Sequence, residues 1–173
     1  MPSMATDSRG QTGRPTTRPS RRGPSASIGC LLLALIVGCN SKEPQVIDPR
    51  DLERIKPGEI VQLSGMLKKP AEGVCVLYPY QNAIDEKEPL ARKANARLAE
   101  MKYESDEGHW AFVFIRGDNA TAQRFSRGEL DIASGHESLP RTFKAVDCAT
   151  VSRAIVIKYR VYGRPTLILG VDR

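Results

Sequence analysis

The longest apolar run after residue 40 lies in His109-Trp-Ala-Phe-Val-Phe-Ile115. This stretch is apolar on both faces of an extended chain, and its aromatic and β-branched residues favour strands. It therefore predicts a central strand, with a helix covering one face and further structure covering the other.

The segment just before this strand has a helical period. Apolar residues recur on one face of residues 86–102, which predicts the main helix, and Pro89 with its acidic neighbours marks the N-terminus. The residues of that face are Leu90, Ala94, Leu98 and Met101.

Further strands are predicted where apolar residues alternate with polar ones or where β-forming residues cluster. They lie near residues 61–67, 74–78, 142–147, 154–162 and 165–171. The first two are expected to form a hairpin, residues 119–127 a short helix, and residues 128–140 the longest loop. This order predicts an α+β fold, a mostly antiparallel sheet of about five to six strands with the main helix on one face.

The composition limits the class of protein. The 173 residues are 40% hydrophobic and 27% charged, which fits one globular domain with a tail and excludes a multidomain enzyme or a polytopic membrane protein. The net charge of +6 is uneven, because residues 1–38 hold five arginines and one aspartate while the rest holds 21 basic and 19 acidic residues. No basic run is interleaved with aromatic residues, so no nucleic-acid partner is expected.

Residues 28–37 form an apolar segment after an arginine-containing polar stretch. Its ten residues match the core of a signal peptide and fall well short of the roughly 20 that a membrane-spanning helix needs. The segment ends in Ile36-Val37-Gly38-Cys39, which resembles the lipobox of bacterial lipoprotein precursors. The resemblance implies that Cys39 becomes the first mature residue and carries acyl chains that anchor the protein to a membrane.

The same resemblance implies how the chain is divided. The expected segments are a lipoprotein signal peptide at 1–38, a membrane tether at 39–47 and a single periplasmic α+β domain at 48–173. Residues 1–13 fit a start codon placed too far upstream. Asn40 stands where an aspartate would retain such a protein on the inner membrane, so an outer membrane facing the periplasm is favoured. An uncleaved signal anchor and a signal peptide cleaved without lipidation are the alternatives.

Two cysteines, Cys75 and Cys148, remain in the predicted domain. Thiols outside the inner membrane meet an oxidising environment, so this pair predicts a disulfide that closes a loop of 74 residues, counting both cysteines. The alternative is two separate buried thiols.

No stretch of the chain matches a catalytic or cofactor-binding motif, so no cofactor is expected. His109 and His136 each stand alone, and no metal site is predicted from them. A nucleophilic thiol at Cys148 beside Asp147 is a weaker interpretation than a structural disulfide.

A candidate interaction surface is predicted from two clusters of tyrosine and arginine, because these residue types are enriched at binding hot spots. Its members are Tyr78, Tyr80, Tyr159, Arg160, Tyr162 and Arg164. The alternative is that the tyrosines pack at the rim of the sheet.

The leading hypothesis for function is a lipid-anchored cell-envelope protein with a non-catalytic binding or structural role. Its partner would be an envelope protein, a glycan or a lipid. One alternative is an envelope enzyme with a site around His109 or His136. The other is an inhibitor lipoprotein that acts on a foreign hydrolase.

Overall fold

The computed structural model describes residues 45–173, which form nine β-strands, two α-helices and one 3₁₀-helix. The helices are α1 (Pro49–Arg54) and α2 (Ala91–Glu100), and the 3₁₀-helix spans Leu63–Met66. The strands are β1 (Ile60–Gln62), β2 (Gly73–Leu77), β3 (His109–Arg116), β4 (Asn119–Ser126), β5 (Asp131–Ile132), β6 (Phe143–Ala145), β7 (Cys148–Thr150), β8 (Ala154–Val161) and β9 (Arg164–Asp172). The predicted signal peptide at 1–38 and the lipidation site at Cys39 lie outside the described residues.

The strands divide between two sheets. The five-stranded sheet has the order β1-β8-β9-β5, with β6 also paired to β9, and the four-stranded sheet has the order β4-β3-β2-β7. Among the named strands of residues 45–173, only β5 and β9 pair in parallel. The predicted α+β class, mostly antiparallel with one main helix, is confirmed, and its strands form two sheets where one was expected.

Strand β3 is central, as its sequence predicts. It pairs with β2 on one side and with β4 on the other. Trp110 and Phe112 project into the core between the two sheets. Ala111 and Val113 point to the opposite face, where they pack with residues of α2. The alternation of the strand therefore places large rings between the sheets and smaller side chains beneath the helix.

The core between the sheets is built around Trp110, which is 1% exposed. Its ring stacks on Phe125 with centroids 4.5 Å apart and meets Phe112 edge-on at 4.9 Å. The indole N–H donates to the Leu130 carbonyl over 2.7 Å. A buried tryptophan needs such an acceptor, so the packing and the hydrogen bond fix this ring together.

Helix α2 confirms the predicted main helix but is shorter than residues 86–102. Its buried residues are Ala91, Ala94 and Leu98; the last two belong to the predicted apolar face, whereas Met101 of that face is 40% exposed. Residues 86–90 form turns instead, because a proline disfavours the α conformation in the residue before it, here Glu88.

The predicted hairpin between residues 61–67 and 74–78 is wrong. β1 pairs with β8, and β2 pairs with β3 and β7, so the two segments belong to different sheets. The chain leaves β1 through the 3₁₀-helix Leu63–Met66 and crosses from one sheet to the other. Of the strand predicted over residues 61–67, only Val61 and Gln62 belong to β1, and residues 63–66 form the 3₁₀-helix. Alternation also carries no information on the partner of a strand.

The short helix predicted over residues 119–127 is also wrong, since these residues form β4. Arg116 pairs with Asn119, which leaves Gly117 and Asp118 as a two-residue hairpin turn between β3 and β4. Pairing with the full length of β3 outweighs the weak helical preference of this segment.

The first residues that the structure describes already contribute to the core. Val46 and Ile47 are buried, and the side-chain amide of Gln123 binds their backbone. Its Oε1 accepts from the Val46 N–H at 2.7 Å and from the Ile47 N–H at 3.0 Å, while its Nε2 donates to the Ile47 carbonyl at 2.7 Å. One buried side chain therefore satisfies three backbone groups and fixes the entry of the chain.

Helix α1 follows directly. Asp48 is its N-cap and accepts from the Arg50 N–H at 3.1 Å, and Pro49 is its first residue. Within residues 45–173, no helix is both long and apolar enough to cross a membrane.

The predicted disulfide is confirmed. Cys75 of β2 and Cys148 of β7 stand opposite each other in the strand register, and their sulfurs are bonded at 2.07 Å. Both cysteines belong to the core beneath α2. The bond joins an inner strand of the four-stranded sheet to its edge strand.

Gly170 of β9 is predicted to tolerate no side chain. A Cβ there would overlap the ring of Phe143, which is fully buried, and would lie 2.7 Å from the Lys144 carbonyl. We expect Gly170→Ala to lower the free energy of unfolding by about 2 kcal/mol, because neither obstacle can move freely. Denaturant unfolding measures the change.

Gly73→Ala is the matched control for this substitution. A Cβ at Gly73 would meet only the Leu90 side chain, with Cδ1 at 2.7 Å, and this half-buried side chain can rotate away. Equal losses of stability in the two variants would contradict the steric argument.

Candidate functional site

The two tyrosine and arginine clusters lie at the same end of the domain. Leu77 pairs with Ala111, so β2 ends where β3 begins, and β4 ends beside the same point. Residues 127–130 then lead to β5, which pairs with Thr166 near the start of β9. The β8–β9 turn is therefore brought to the end of the domain that carries Tyr80.

We call this region the tyrosine end. Its exposed members are Tyr80, Arg160, Tyr162 and Arg164, and its supporting residues are Glu107, Arg127 and Asp131.

Tyr162 is held at the tip of the β8–β9 hairpin. Val161 pairs with Arg164, so Tyr162 and Gly163 form a two-residue turn, with φ angles of 49° and 80°. Positive φ at both positions matches a type I′ turn, which favours Asn-Gly. A tyrosine in this conformation costs about 1 kcal/mol. Its side chain is fully exposed, with a relative exposure of 101%, so packing does not offset that cost.

Tyr80, like Tyr162, combines a positive φ angle with an exposed side chain. Its φ is 66° and its relative exposure is 70%. The phenol donates to the Glu107 carboxylate over 2.7 Å, and this hydrogen bond raises the pKa of Tyr80. The ring is thus held at the surface by its own hydroxyl group.

A chain of polar contacts supports the tyrosine end. Arg127 donates to the Glu107 carbonyl at 3.0 Å and binds Asp131 through two hydrogen bonds, of 2.8 and 3.0 Å. The hydrogen bond to Asp131 raises the pKa of Arg127. Burial alone would raise the pKa of Asp131, but hydrogen bonds from Arg127 and the Ile132 N–H outweigh it and hold this pKa below its usual value.

This carboxylate gives a pH prediction. Because folding lowers the pKa of Asp131, the ionised group stabilises the fold above its unfolded pKa of about 3.9, and that stabilisation is lost as the pH falls through the lower folded value. We expect Asp131→Asn to lower the free energy of unfolding by about 1.5 kcal/mol at pH 7, through loss of a charge-assisted pair. The difference from the wild type should shrink below about pH 4 in unfolding curves recorded from pH 2 to 7.

Asp51→Asn serves as the control, because Asp51 and Arg54 form an exposed pair 3.3 Å apart. Exposed pairs contribute little, so this variant should follow the wild type throughout. If the difference in the free energy of unfolding between Asp131→Asn and the wild type stayed constant down to pH 2, the lowered pKa assigned to Asp131 would be contradicted.

Tyr78 and Tyr159 have structural contacts. Tyr78 packs against the core between the sheets and donates to Asp147 over 2.7 Å; burial, followed by this hydrogen bond, raises the pKa of its phenol. Tyr159 stacks on His136 with centroids 4.6 Å apart and donates to the Ser138 carbonyl. The exposed candidate surface therefore narrows to Tyr80, Arg160, Tyr162 and Arg164.

His109 begins β3, whereas His136 lies in the loop between β5 and β6, where its ring stacks on Tyr159, and no contact joins the two histidines among the described residues. Nδ1 of His109 lies 2.8 Å from Asp106, and this hydrogen bond lowers the pKa of the aspartate. Arg124 also contacts Asp106, and Ser126 stands opposite His109 in the strand register. No cluster of three or more histidine, cysteine or acidic residues that could hold a metal is found in residues 45–173.

The grooves of the surface lie elsewhere. The groove of about 530 Å³ lies between the segment before α2 and the β2–β7 edge, with charged residues such as Glu72, Arg92 and Lys93 in its walls. Two further grooves share residues of the segment before α2 with this one, two others lie near Glu53 and Glu129, and none of the five includes His109, His136 or the exposed tyrosines. The pair of Arg127 and Asp131 was not expected from the sequence, because opposite charges four apart are usually interpreted as a helix pair.

Comparisons with protein-family models, with curated proteins and with solved structures find no match for this chain.

Proposed function

We propose that this chain is a lipid-anchored protein of the bacterial cell envelope whose domain binds a partner through the tyrosine end, without catalysis. The anchor is an acylated Cys39, and the domain faces the periplasm from the outer membrane. The partner is an envelope protein, a glycan or a lipid.

One observation carries the binding role. The two most exposed aromatic side chains, Tyr80 and Tyr162, both occupy left-handed backbone conformations that disfavour tyrosine. Strain that packing does not offset is typical of functional positions. Tyrosine offers a large contact area with a polar end, which suits a binding surface.

The anchor rests on the sequence and agrees with two features of the domain. The lipobox ends at Cys39, and the buried part of the domain begins at Val46, so a short polar stretch joins the two. The disulfide between Cys75 and Cys148 suits an oxidising compartment.

The anchor is tested by the intact mass of the protein extracted from its native membrane. We expect a chain that starts at Cys39 and carries acyl chains. A mass that retains residues 1–38 without lipid would contradict the proposal.

If the tyrosine end binds a partner, Tyr162→Asn should make the domain more stable and its binding weaker. Asparagine suits the first position of a type I′ turn, so we expect the free energy of unfolding to rise by about 1 kcal/mol. Binding to the envelope partner should fall, because the exposed ring is lost. A photocrosslinking amino acid placed at position 80 or 162 in cells identifies that partner by the mass of its adduct.

Position 118 provides the matched crosslinking control. Asp118 is an exposed turn residue at the far end of β3 from the tyrosine end. The same adducts at positions 118 and 162, or Tyr162→Asn that leaves binding unchanged, would contradict a role for the tyrosine end.

A second candidate is the envelope enzyme, favoured by the contact between His109 and Asp106 and by Ser126 opposite the histidine. It predicts ester hydrolysis that His109→Gln abolishes without lowering the unfolding temperature. Hydrolysis that is absent in the wild type, or unchanged in the variant, would contradict it.

A further inference from the structure

The β8–β9 turn, residues 160–164, combines an aromatic tip with two cations. Its sequence is Arg160-Val-Tyr-Gly-Arg164, and the Tyr162 ring between the two arginines is fully exposed. Val161 pairs with Arg164 at the base of the turn, so the strand ladder extends to the last residue before the tip. The ring thus stands at the tip of a paired hairpin, with Arg164 on one face of the ribbon and Arg160 on the other.

We propose that the β8–β9 turn binds the headgroups of anionic phospholipids in the membrane that holds the acylated Cys39. This inference rests on the anchoring proposed above and names a lipid as the partner of this part of the tyrosine end. Tyrosine rings are enriched at the membrane interface, where the ring meets the acyl boundary and the hydroxyl stays among the headgroups. Arginine side chains beside such a ring bind lipid phosphates.

The charges of the turn are available for this contact. Within the part of the chain that the structure describes, Arg160 donates to the Gly163 carbonyl at 3.3 Å, and neither Arg160 nor Arg164 forms an ion pair. The carboxylate of Asp131 interacts electrostatically with Arg164, but Arg127 already binds this carboxylate. The tip therefore presents two cations, which match an anionic surface.

The length of the chain permits the contact. Lys158 of β8 donates from its amine to the Glu53 carbonyl near the end of α1, and Tyr162 lies four residues further along the chain, just past the end of β8, which is about 13 Å when extended. Helix α1 is about 9 Å long and begins three residues after Val46. The chain from Cys39 to Val46 spans up to about 25 Å when extended. Val46 is bound to Gln123, which lies three residues, or about 10 Å of strand, before the end of β4 at the tyrosine end, so a tether of this length allows the turn to reach the plane of the membrane while the anchor remains inserted.

The test uses Tyr162→Trp in the full acylated chain bound to vesicles that contain phosphatidylglycerol and phosphatidylcholine. Trp110 is the only tryptophan of the chain and is 1% exposed, so it contributes a constant background that lipids do not reach. We expect the emission added at position 162 to shift to shorter wavelength and to be quenched when the lipids carry bromine. Arg160→Gln with Arg164→Gln, made in the same variant, should remove most of that shift.

Asp118→Trp is the control, because this turn lies at the opposite end of β3. Its emission should show neither the shift nor the quenching. Vesicles of phosphatidylcholine alone should give a smaller shift for Tyr162→Trp, and an equal shift would overturn the assignment to anionic headgroups.

Two failures can be told apart. A chain that floats with the vesicles through its acyl groups but shows no quenching at position 162 overturns the lipid contact and leaves the anchor in place. A native mass without acyl chains contradicts the proposed anchor itself. Crosslinking from position 162 in cells gives a further test. Adducts that contain protein or glycan and no phospholipid also overturn the lipid contact.

Discussion

Replacing both Cys75 and Cys148 by alanine is expected to lower the free energy of unfolding by about 4 kcal/mol. The two cysteines are 73 positions apart, so their bond closes a loop that makes up more than half of the described domain. In the chain-entropy view, opening a loop of this size gives the unfolded chain about 4.5 kcal/mol of additional conformational freedom.

The position of the bond adds a second reason. β7 is a three-residue edge strand, and β2 is its neighbour in the four-stranded sheet. Without the disulfide, β7 depends on backbone hydrogen bonds, among them Val76 N–H to Asp147 and Val151 N–H to Glu72, each 2.8 Å long. This edge of the sheet should therefore open first in the double variant.

Urea unfolding with and without a reducing agent measures the effect. The reducing agent should destabilise the wild type by a similar amount and leave the double alanine variant unchanged. The dependence on urea should become steeper without the bond, because a more expanded unfolded chain exposes more surface. A loss below about 1 kcal/mol would contradict the loop argument.

Gln123→Met is expected to lower the free energy of unfolding by about 3 to 4 kcal/mol, because it leaves buried polar groups without partners. Methionine has a similar length and fills the space, so the loss reflects hydrogen bonding more than packing. The N–H groups of Val46 and Ile47 and the Ile47 carbonyl would all lose their partner. Denaturant unfolding followed by the fluorescence of Trp110 measures the change.

Gln62→Met is the matched control. The Gln62 amide donates to the Ser152 carbonyl over 2.9 Å, but this side chain is exposed, and water can replace the lost bond. We expect a loss below about 1 kcal/mol for this variant. Equal losses at positions 62 and 123 would show that burial of the amide is not the cause.

The central strand and the main helix were predictable because their physical signals are local. Trp110 to Ile115 is apolar on both faces, and the structure covers both faces, one with α2 and one with the second sheet. The cap at Asp48 and the proline at position 49 likewise act within one helical turn. The disulfide was predictable for another reason, since two cysteines allow one pairing.

Strand partners were not predictable, because alternation reports burial of a face and nothing about the neighbour. β1 pairs with β8, from which it is separated by more than half of the described chain. For β4, the local signal lies in the turn that precedes it. Gly117-Asp118 is a two-residue sequence that is typical of a β-hairpin, and it outweighs the helical preference of Ala120 and Ala122.

The candidate site was predictable in residue type but not in role. Tyrosine and arginine indicate a surface, yet Tyr78 and Tyr159 are used in packing, while Tyr80 and Tyr162 are exposed. Backbone angles and the strand register separate the two groups, and neither follows from composition. The polar chain through Arg127 and Asp131 forms only because residues 127–130 bend from one sheet to the other.

The lengths of the edge strands bear on how the protein avoids aggregation. An exposed strand edge can pair with another chain, and short edges limit such pairing. β1, β5, β6 and β7 are two or three residues long, whereas β4, at the edge of the four-stranded sheet, has eight. The segment Val46–Ile47 is bound to the middle of β4 through Gln123. Loss of this segment by proteolysis would leave a long strand edge less protected, and the trimmed domain should aggregate at concentrations where the intact domain stays monomeric.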